Sequence, residues 1–261
     1  MPNDLLADAI QPRLKTAWLG REYRYFDQTG STNTEAVQLA KSGAPHGTVV
    51  VADHQTAGRG RIERTWHSPP GENLYFSVLL RPQWSSRDAR PVSLAAGVAL
   101  AEAVAPRLTT PPTLKWPNDL LAGGKKLAGI LVEGSMQAAA IEFVIVGVGL
   151  NVNTAEFPEE LSTIAESLGR LVGNELDRGE VLADALNSLE PWLDTLAEQG
   201  SEPIVAAWLK HAANLGQRVK VAEGSREYVG VMQGVDPDGT LRLQLDDGQE
   251  QRIVSGDVLA M

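Results

Sequence analysis

Seven consecutive positions, Gly58-Arg59-Gly60-Arg61-Ile62-Glu63-Arg64, carry three arginines and two glycines in a chain whose formal charge is −10. Glycine admits positive φ and close backbone approach to a ligand. Arginine presents a rigid fork of donors that matches phosphate and carboxylate oxygens. Such a loop can close over an anionic small molecule; the alternative is a mobile surface loop with solvated arginines. Lys115-Trp116-Pro117-Asn118-Asp119 brings a cation and a carboxylate to a turn, and Asn118-Asp119 favours a tight turn whatever the function. Gly123-Gly124-Lys125-Lys126-Leu127-Ala128-Gly129 follows. Neighbouring strand residues face opposite sides, so Lys125 and Lys126 cannot share one role. A lysine entering a buried strand ordinarily snorkels to solvent; register decides which of the two faces inward, and Gly129 would let the strand backbone pass close to a ligand. Ser31, Thr32, Asn33 and Gln55 are neutral hydrogen-bonding residues, and Asn151 closes the run Gly147-Val-Gly-Leu-Asn151. Trp66 and Trp116 suit either an apolar slot or the core.

Together with Ser68-X-X-Gly71-X-Asn73-Leu74-Tyr75, and in this order, these segments resemble the biotin protein ligases over about Ser31 to Asn153. The resemblance implies an enzyme that joins biotin to ATP as biotinyl-5′-AMP, with Mg²⁺. It then transfers the acyl group to a lysine of a biotin carboxyl carrier protein or domain, of acetyl-CoA carboxylase or pyruvate carboxylase. Arg59, Gly60 and Arg61 inherit the loop that orders over biotin and retains the adenylate. Lys126 inherits the contact to the biotin carboxylate and later the bridging phosphate. Biotin's uncharged ureido ring fits Ser31, Thr32, Asn33 and Gln55. Arg61, Arg64, Trp66, Lys115, Asn118, Lys126 and Asn151 are the expected ATP contacts, and Asp119 orients or deprotonates the carrier lysine. No residue is assigned to a metal. The family often has glycine where this chain has Glu63, which puts the local backbone in question.

The negative charge argues against a general nucleic-acid binder. About 22 residues precede the first expected strand, too few for the winged helix of the family's repressor branch, so no DNA binding is expected. The chain has no cysteine, which fits a reducing compartment. The N-terminus has no basic stretch followed by an apolar run, and no apolar run reaches the roughly 20 residues of a membrane span. A cytoplasmic protein without membrane contact is expected, as a monomer or weak homodimer. His46, His54, His67 and His211 lack metal-ligand spacing. Two rivals stand beside the ligase. A lipoate or octanoate ligase shares the architecture, but those enzymes lack the Gly-Arg-Gly-Arg loop. A non-catalytic module whose loop contacts nucleic acid conflicts with the acidic charge.

The elements that must position these residues follow from pattern. Tyr23–Asp27, Thr48–Asp53, Leu74–Arg81, Thr113–Trp116 and Ala139–Gly149 read as strands. Asp119–Ala122 and Lys126–Glu133 read as a hairpin about Gly123-Gly124. Thr32 and Glu35 suggest a capping box opening a helix over Asn33–Ser42. Pro91–Leu108 is a buried, alanine-rich helix. Glu180–Gln199 and Glu202–Ala213 are amphipathic, the first divided by Pro191. Short alternating runs from Val219 to Val254, separated by Gly224, Gly239 and Gly248, read as a small SH3-like β-barrel. The expected fold is α+β: a mixed sheet with helices on one side over residues 1–213, then the SH3-like domain over 214–261.

Overall fold

The computed structural model describes residues 3–82, 90–137 and 140–260. Seven strands form the first sheet in the order β1-β2-β3-β7-β6-β5-β4. They are β1 Tyr23–Thr29, β2 Thr48–Gln55, β3 Leu74–Leu80, β4 Thr113–Lys115, β5 Asp119–Ala122, β6 Lys125–Gln137 and β7 Ala140–Leu150. Only β1 and β2 run parallel; every other neighbouring pair is antiparallel. Ala139, the expected start of β7, lies outside the described residues.

Alternation splits the central strands between two layers. Val49, Val51, Phe76, Val78, Val144, Val146 and Val148 face the main core. Val50, Leu79, Phe143 and Ile145 face a smaller cluster with Ala36 and Ala40. The main core is roofed by α3 (Pro91–Val104), α5 (Arg178–Gln199) and α6 (Glu202–His211). The smaller cluster lies beneath α2 (Thr32–Lys41). Helices therefore cover both faces, which corrects the one-sided arrangement: Ala36 and Ala40 give α2 its own apolar stripe, which must be buried.

Two further expectations change. Ser31, not Thr32, is the N-cap of α2, and no side chain caps the helix. The Glu35 carboxylate instead accepts the Thr29 hydroxyl at 2.6 Å, and Thr32 turns inward to Gln55 and Ser77. Burial of Thr32 under the sheet overrides the local capping signal. α5 runs unbroken for 22 residues through Pro191. Pro191 is exposed and Asn187, four residues earlier, is half-buried, so the carbonyl freed by the missing N–H can meet water. The buried positions Leu186, Leu189, Leu193 and Leu196 keep one stripe across it.

Four elements escape sequence reading: α1 (Ala7–Ile10), α4 (Leu168–Val172), a 3₁₀ turn at Gln11–Arg13 and the last strand, Asp257–Ala260. Arg178, 7% exposed at the start of α5, bonds Asp4 at 2.8 Å and Asp53 at 2.7 Å. This pairing fastens the N-terminal segment to the end of β2.

The C-terminal strands, β8 Arg218–Glu223, β9 Arg226–Val235, β10 Leu241–Leu245, β11 Glu250–Ile253 and β12 Asp257–Ala260, make an antiparallel sheet ordered β11-β10-β9-β8-β12. Gly224, Gly239 and Gly248 hold positive φ at its turns, as the sequence reading requires. It joins the first sheet through Trp116, whose Nε1 donates to the Gly239 carbonyl at 3.0 Å. Trp116 is 1% exposed and packs in the main core. Among the described residues no helix is long and apolar enough to cross a membrane.

Candidate active site

The site lies on the α2 side of the sheet, where glycines make a floor. Gly129 of β6 pairs with Gly149 of β7, and Leu131 with Gly147. A Cβ on Gly149 would sit 2.3 Å from the Trp66 ring, and one on Gly147 2.0 Å from Asn33 Oδ1. Glycine at these positions is what allows Trp66 and Asn33 to lie flat on the strands. Trp66 Nε1 is buried without a hydrogen-bond partner, an arrangement that costs about 1–3 kcal/mol and leaves a donor for a ligand.

A β-bulge decides which lysine enters. Leu120 pairs with Ala128, but Leu121 pairs with Lys126, so Leu127 is the extra residue. Strict alternation would put Lys125 on the face of Gly129. The bulge shifts the phase by one, and Lys126 joins Gly129 and Asp119 instead. Lys126 Nζ lies 2.6 Å from Asp119 Oδ1 and 5.3 Å from the Trp66 ring centroid. Their angle makes the Asp119 contact an ion pair and not a directed hydrogen bond. Lys115 Nζ approaches Asp119 Oδ2 at 3.6 Å. Among the described residues Lys125 reaches only the Ser162 carbonyl, at 3.4 Å.

The arginine loop closes on itself. Gly60 N–H donates to the Arg64 carbonyl at 2.6 Å, Arg64 N–H to the Arg61 carbonyl at 3.1 Å, and Trp66 N–H to the Gly58 carbonyl at 2.9 Å. Its tip has φ of 52° at Ile62 and 56° at Glu63, the sign pattern of a mirror-image hairpin turn. Side chains there cost about 1–2 kcal/mol each. This is why a glycine suits position 63 and why Glu63 is a strained replacement.

Each loop arginine meets a different part of the protein. Arg59 makes a bidentate pair with Glu133 of β6, at 2.9 and 2.7 Å. Arg61 donates to Asn118 Oδ1 at 3.1 Å and to the Gly256 carbonyl at 3.3 Å, with Asp257 at 3.6 Å. Burial lowers the Arg61 pKa, and Asp257 and Asp119 oppose that shift. Arg64 also contacts Asp257. The loop, Leu131 and Glu133 line a cavity of about 710 Å³.

Beneath the loop runs a chain of polar groups. Ser77 Oγ lies 2.6 Å from Asn33 Oδ1 and 2.8 Å from Thr32 Oγ1. The Thr32 hydroxyl and amide donate to Gln55 Oε1, and Gln55 Nε2 donates to Ser68 Oγ at 3.0 Å. Asn33 Nδ2 donates to Glu133 at 2.7 Å. Ser31, 5% exposed, begins the helix above them. Asn151 is placed at the end of β7 with its amide nitrogen committed to the carbonyls of Glu166 (3.0 Å) and Lys126 (3.4 Å). Only its oxygen remains for a ligand. Sequence reading thus selects Ser31, Thr32, Asn33, Gln55, Arg59, Gly60, Arg61, Arg64, Trp66, Lys115, Asn118, Asp119, Lys126 and Gly129, and the structure gathers them around one sheet face. Sequence reading misses Ser68, Ser77 and Glu133. Ser68 stands in a quoted motif and Glu133 closes the Lys-Leu-Ala-Gly segment, but nothing in their spacing says what they touch.

A lysine, a half-buried carboxylate and cationic loop residues stand over a neutral, hydrogen-bonding floor, a set suited to hold a carboxylic acid beside phosphate groups. The model of the biotin/lipoate A/B protein ligase family matches residues 25–151, and that of the biotin protein ligase C-terminal domain matches residues 215–260. The chain is 36% identical over 259 residues to a bifunctional ligase/repressor of Bacillus subtilis, covering 98% of this chain and 79% of that one. It is 40% identical to a biotin–[acetyl-CoA-carboxylase] ligase of Mycobacterium tuberculosis, covering 92% and 90%. Biotin protein ligase from Aquifex aeolicus, solved with biotin and ATP, superposes with a TM-score of 0.78 at 31% identity, over 92% of this chain and 98% of that one. The chain belongs to the biotin protein ligase family.

Proposed function

We propose that the protein activates biotin with ATP as biotinyl-5′-AMP and transfers it to the ε-amine of a carrier lysine, forming an amide and releasing AMP. The observation that carries this reading is Lys126, brought by the bulge beside Asp119 and the glycine floor. Lys126 meets the biotin carboxylate and then the bridging phosphate. Arg61 and Arg64 offset charge on the phosphates as pyrophosphate leaves, with Lys115 and Asn118 beside them. Trp66 offers a ring face and a free N–H to the nucleotide, and Asn151 an acceptor. When Lys126 turns to the acid, Asp119 Oδ1 is open to the incoming amine. That amine is almost fully protonated at neutral pH, so a carboxylate that takes its proton speeds attack on the acyl carbon. Ser31, Thr32, Asn33, Gln55 and the Gly60 backbone surround the ureido ring.

No group of three His, Asp or Glu stands ready to hold a metal among the described residues, and Asp119 already faces two lysines. Mg²⁺ therefore enters this reading as the companion of the nucleotide phosphates. The carrier is the biotin carboxyl carrier domain of acetyl-CoA carboxylase or pyruvate carboxylase. The Mycobacterium tuberculosis relative, named for the first of these, supports that choice. Residues 1–213 form the catalytic domain and 214–261 the SH3-like domain, acting in the cytoplasm as a monomer or weak homodimer.

ATP–pyrophosphate exchange with Mg²⁺ and biotin, lipoate, octanoate or no acid tests the reading. Exchange is expected with biotin alone. Exchange with lipoate or octanoate would replace the substrate, and none with any acid would overturn the enzyme.

A further inference from the structure

We infer that Glu133 is a positioning residue that anchors the arginine loop through Arg59 and fixes the Asn33 amide, so that Arg59 holds the loop and leaves the anionic ligands to Arg61 and Arg64. This deepens the ligase reading and rests on it. Both Glu133 oxygens are engaged by the Arg59 fork, at 2.9 and 2.7 Å, and Oε2 also accepts Asn33 Nδ2 at 2.7 Å. Asn33 is 3% exposed. Its oxygen faces Ser77, and its nitrogen also reaches the Leu131 carbonyl at 3.3 Å. The amide can therefore point only one way, and the orientation is passed to Ser77 and Thr32 at the start of α2.

The three arginines differ in what neutralises them. Arg59 is matched two-to-two by one carboxylate. Arg61 touches neutral acceptors, and its nearest carboxylate oxygen is 3.6 Å away. Arg64 is 66% exposed beside the same Asp257. Arg59 alone of the three has two guanidinium nitrogens matched by the two oxygens of one carboxylate, Glu133, whereas Arg64 meets Asp257 through a single nitrogen. An isolated, half-exposed ion pair contributes little. Bidentate geometry with a third hydrogen bond to a buried amide makes this one a network. Glu133 sits on the Gly129 face of β6, paired with Ile145 of β7. The loop is thereby tied to an interior strand of the seven-stranded sheet.

The test uses the full-length protein with Glu133→Gln, Arg59→Gln and both together. Loop anchoring is read in ligand-free protein by trypsin cleavage after Arg61 and Arg64. Retention is read by the dissociation rate of pre-formed biotinyl-adenylate. Catalysis is read by kcat and KM for biotin. Glu133→Gln is expected to release adenylate about tenfold faster, raise the biotin KM, leave kcat for adenylation within about twofold, and hasten cleavage. Arg59→Gln should match it in cleavage and release, and the double variant should be no worse than either. Retention and cleavage unchanged in Glu133→Gln, or effects that multiply in the double variant, would overturn the inference. If Glu133→Gln fails to fold, Arg59→Gln decides alone: a large fall in kcat with unchanged cleavage would make Arg59 a ligand contact and refute its anchoring role. Wild-type exchange with biotin, run alongside, separates this failure from failure of the ligase reading itself.

Discussion

Single residues carry the sharpest expectations. Lys126→Ala should lower kcat/KM for adenylation by about 100- to 1000-fold, the scale of losing one preorganised charge contact, while Lys125→Ala stays within about threefold. Equal losses in the exchange assay would mean that the bulge does not set the working face. Gly147→Ala places a methyl 2.0 Å from Asn33 Oδ1. The amide must move, so the biotin KM should rise, with a stability loss of about 1–3 kcal/mol from overpacking, measured by urea unfolding. At the loop tip, Ile62→Asn with Glu63→Gly supplies residues that tolerate positive φ. The closed loop should then resist trypsin longer in the ligand-free protein; faster cleavage would show that the strained turn is not the form in solution. The motif departure at Glu63 was visible in the sequence. Its physical meaning, a left-handed backbone at a side chain with a Cβ, needed the dihedral angles.

At the scale of elements, β2 was legible as a short valine-rich apolar run, the pattern of a strand buried on both faces, and β3 is likewise buried along its whole length. Two local signals misled. Thr32 and Glu35 match a capping box, yet Thr32 is held under the sheet by Ser77 and Gln55 and the helix begins at Ser31. Pro191 signals a break, but its ring faces solvent and the buried stripe of α5 continues past it. Pro191→Ala should return the missing hydrogen bond and stabilise the protein by about 1–3 kcal/mol, less than the full helix-interior penalty because the unfolded chain also gains freedom. Destabilisation in urea titration would indicate that the proline fits the helix it occupies. The buried pairing of Arg178 with Asp4 and Asp53 shows why the N-terminal elements went unread: their order comes from partners more than a hundred residues away.

For the whole molecule, the C-terminal sheet does more than follow the catalytic one. Gly256 and Asp257 at the start of β12 receive Arg61 and Arg64, and Gly239 receives Trp116. Asp257→Ala should loosen both arginines and raise the KM for ATP several-fold, with little change for biotin. Deleting residues 215–261 should impair both half-reactions; unchanged kinetics in pre-steady-state measurement would confine the domain to another task.

The sequence by itself determined the order of chemical segments, the apolar faces of the strands, and the glycines where turns or close approaches demand them. These are local properties, set by the period of the backbone and the size of the side chain. The tertiary structure alone decided which of two adjacent lysines enters the site, because one extra residue at Leu127 reverses the phase of a strand. It alone decided that Glu133 answers Arg59 across 74 positions and Asp257 answers Arg64 across 193. Side chains so far apart in the chain meet only when sheet register and domain docking have fixed where each strand ends.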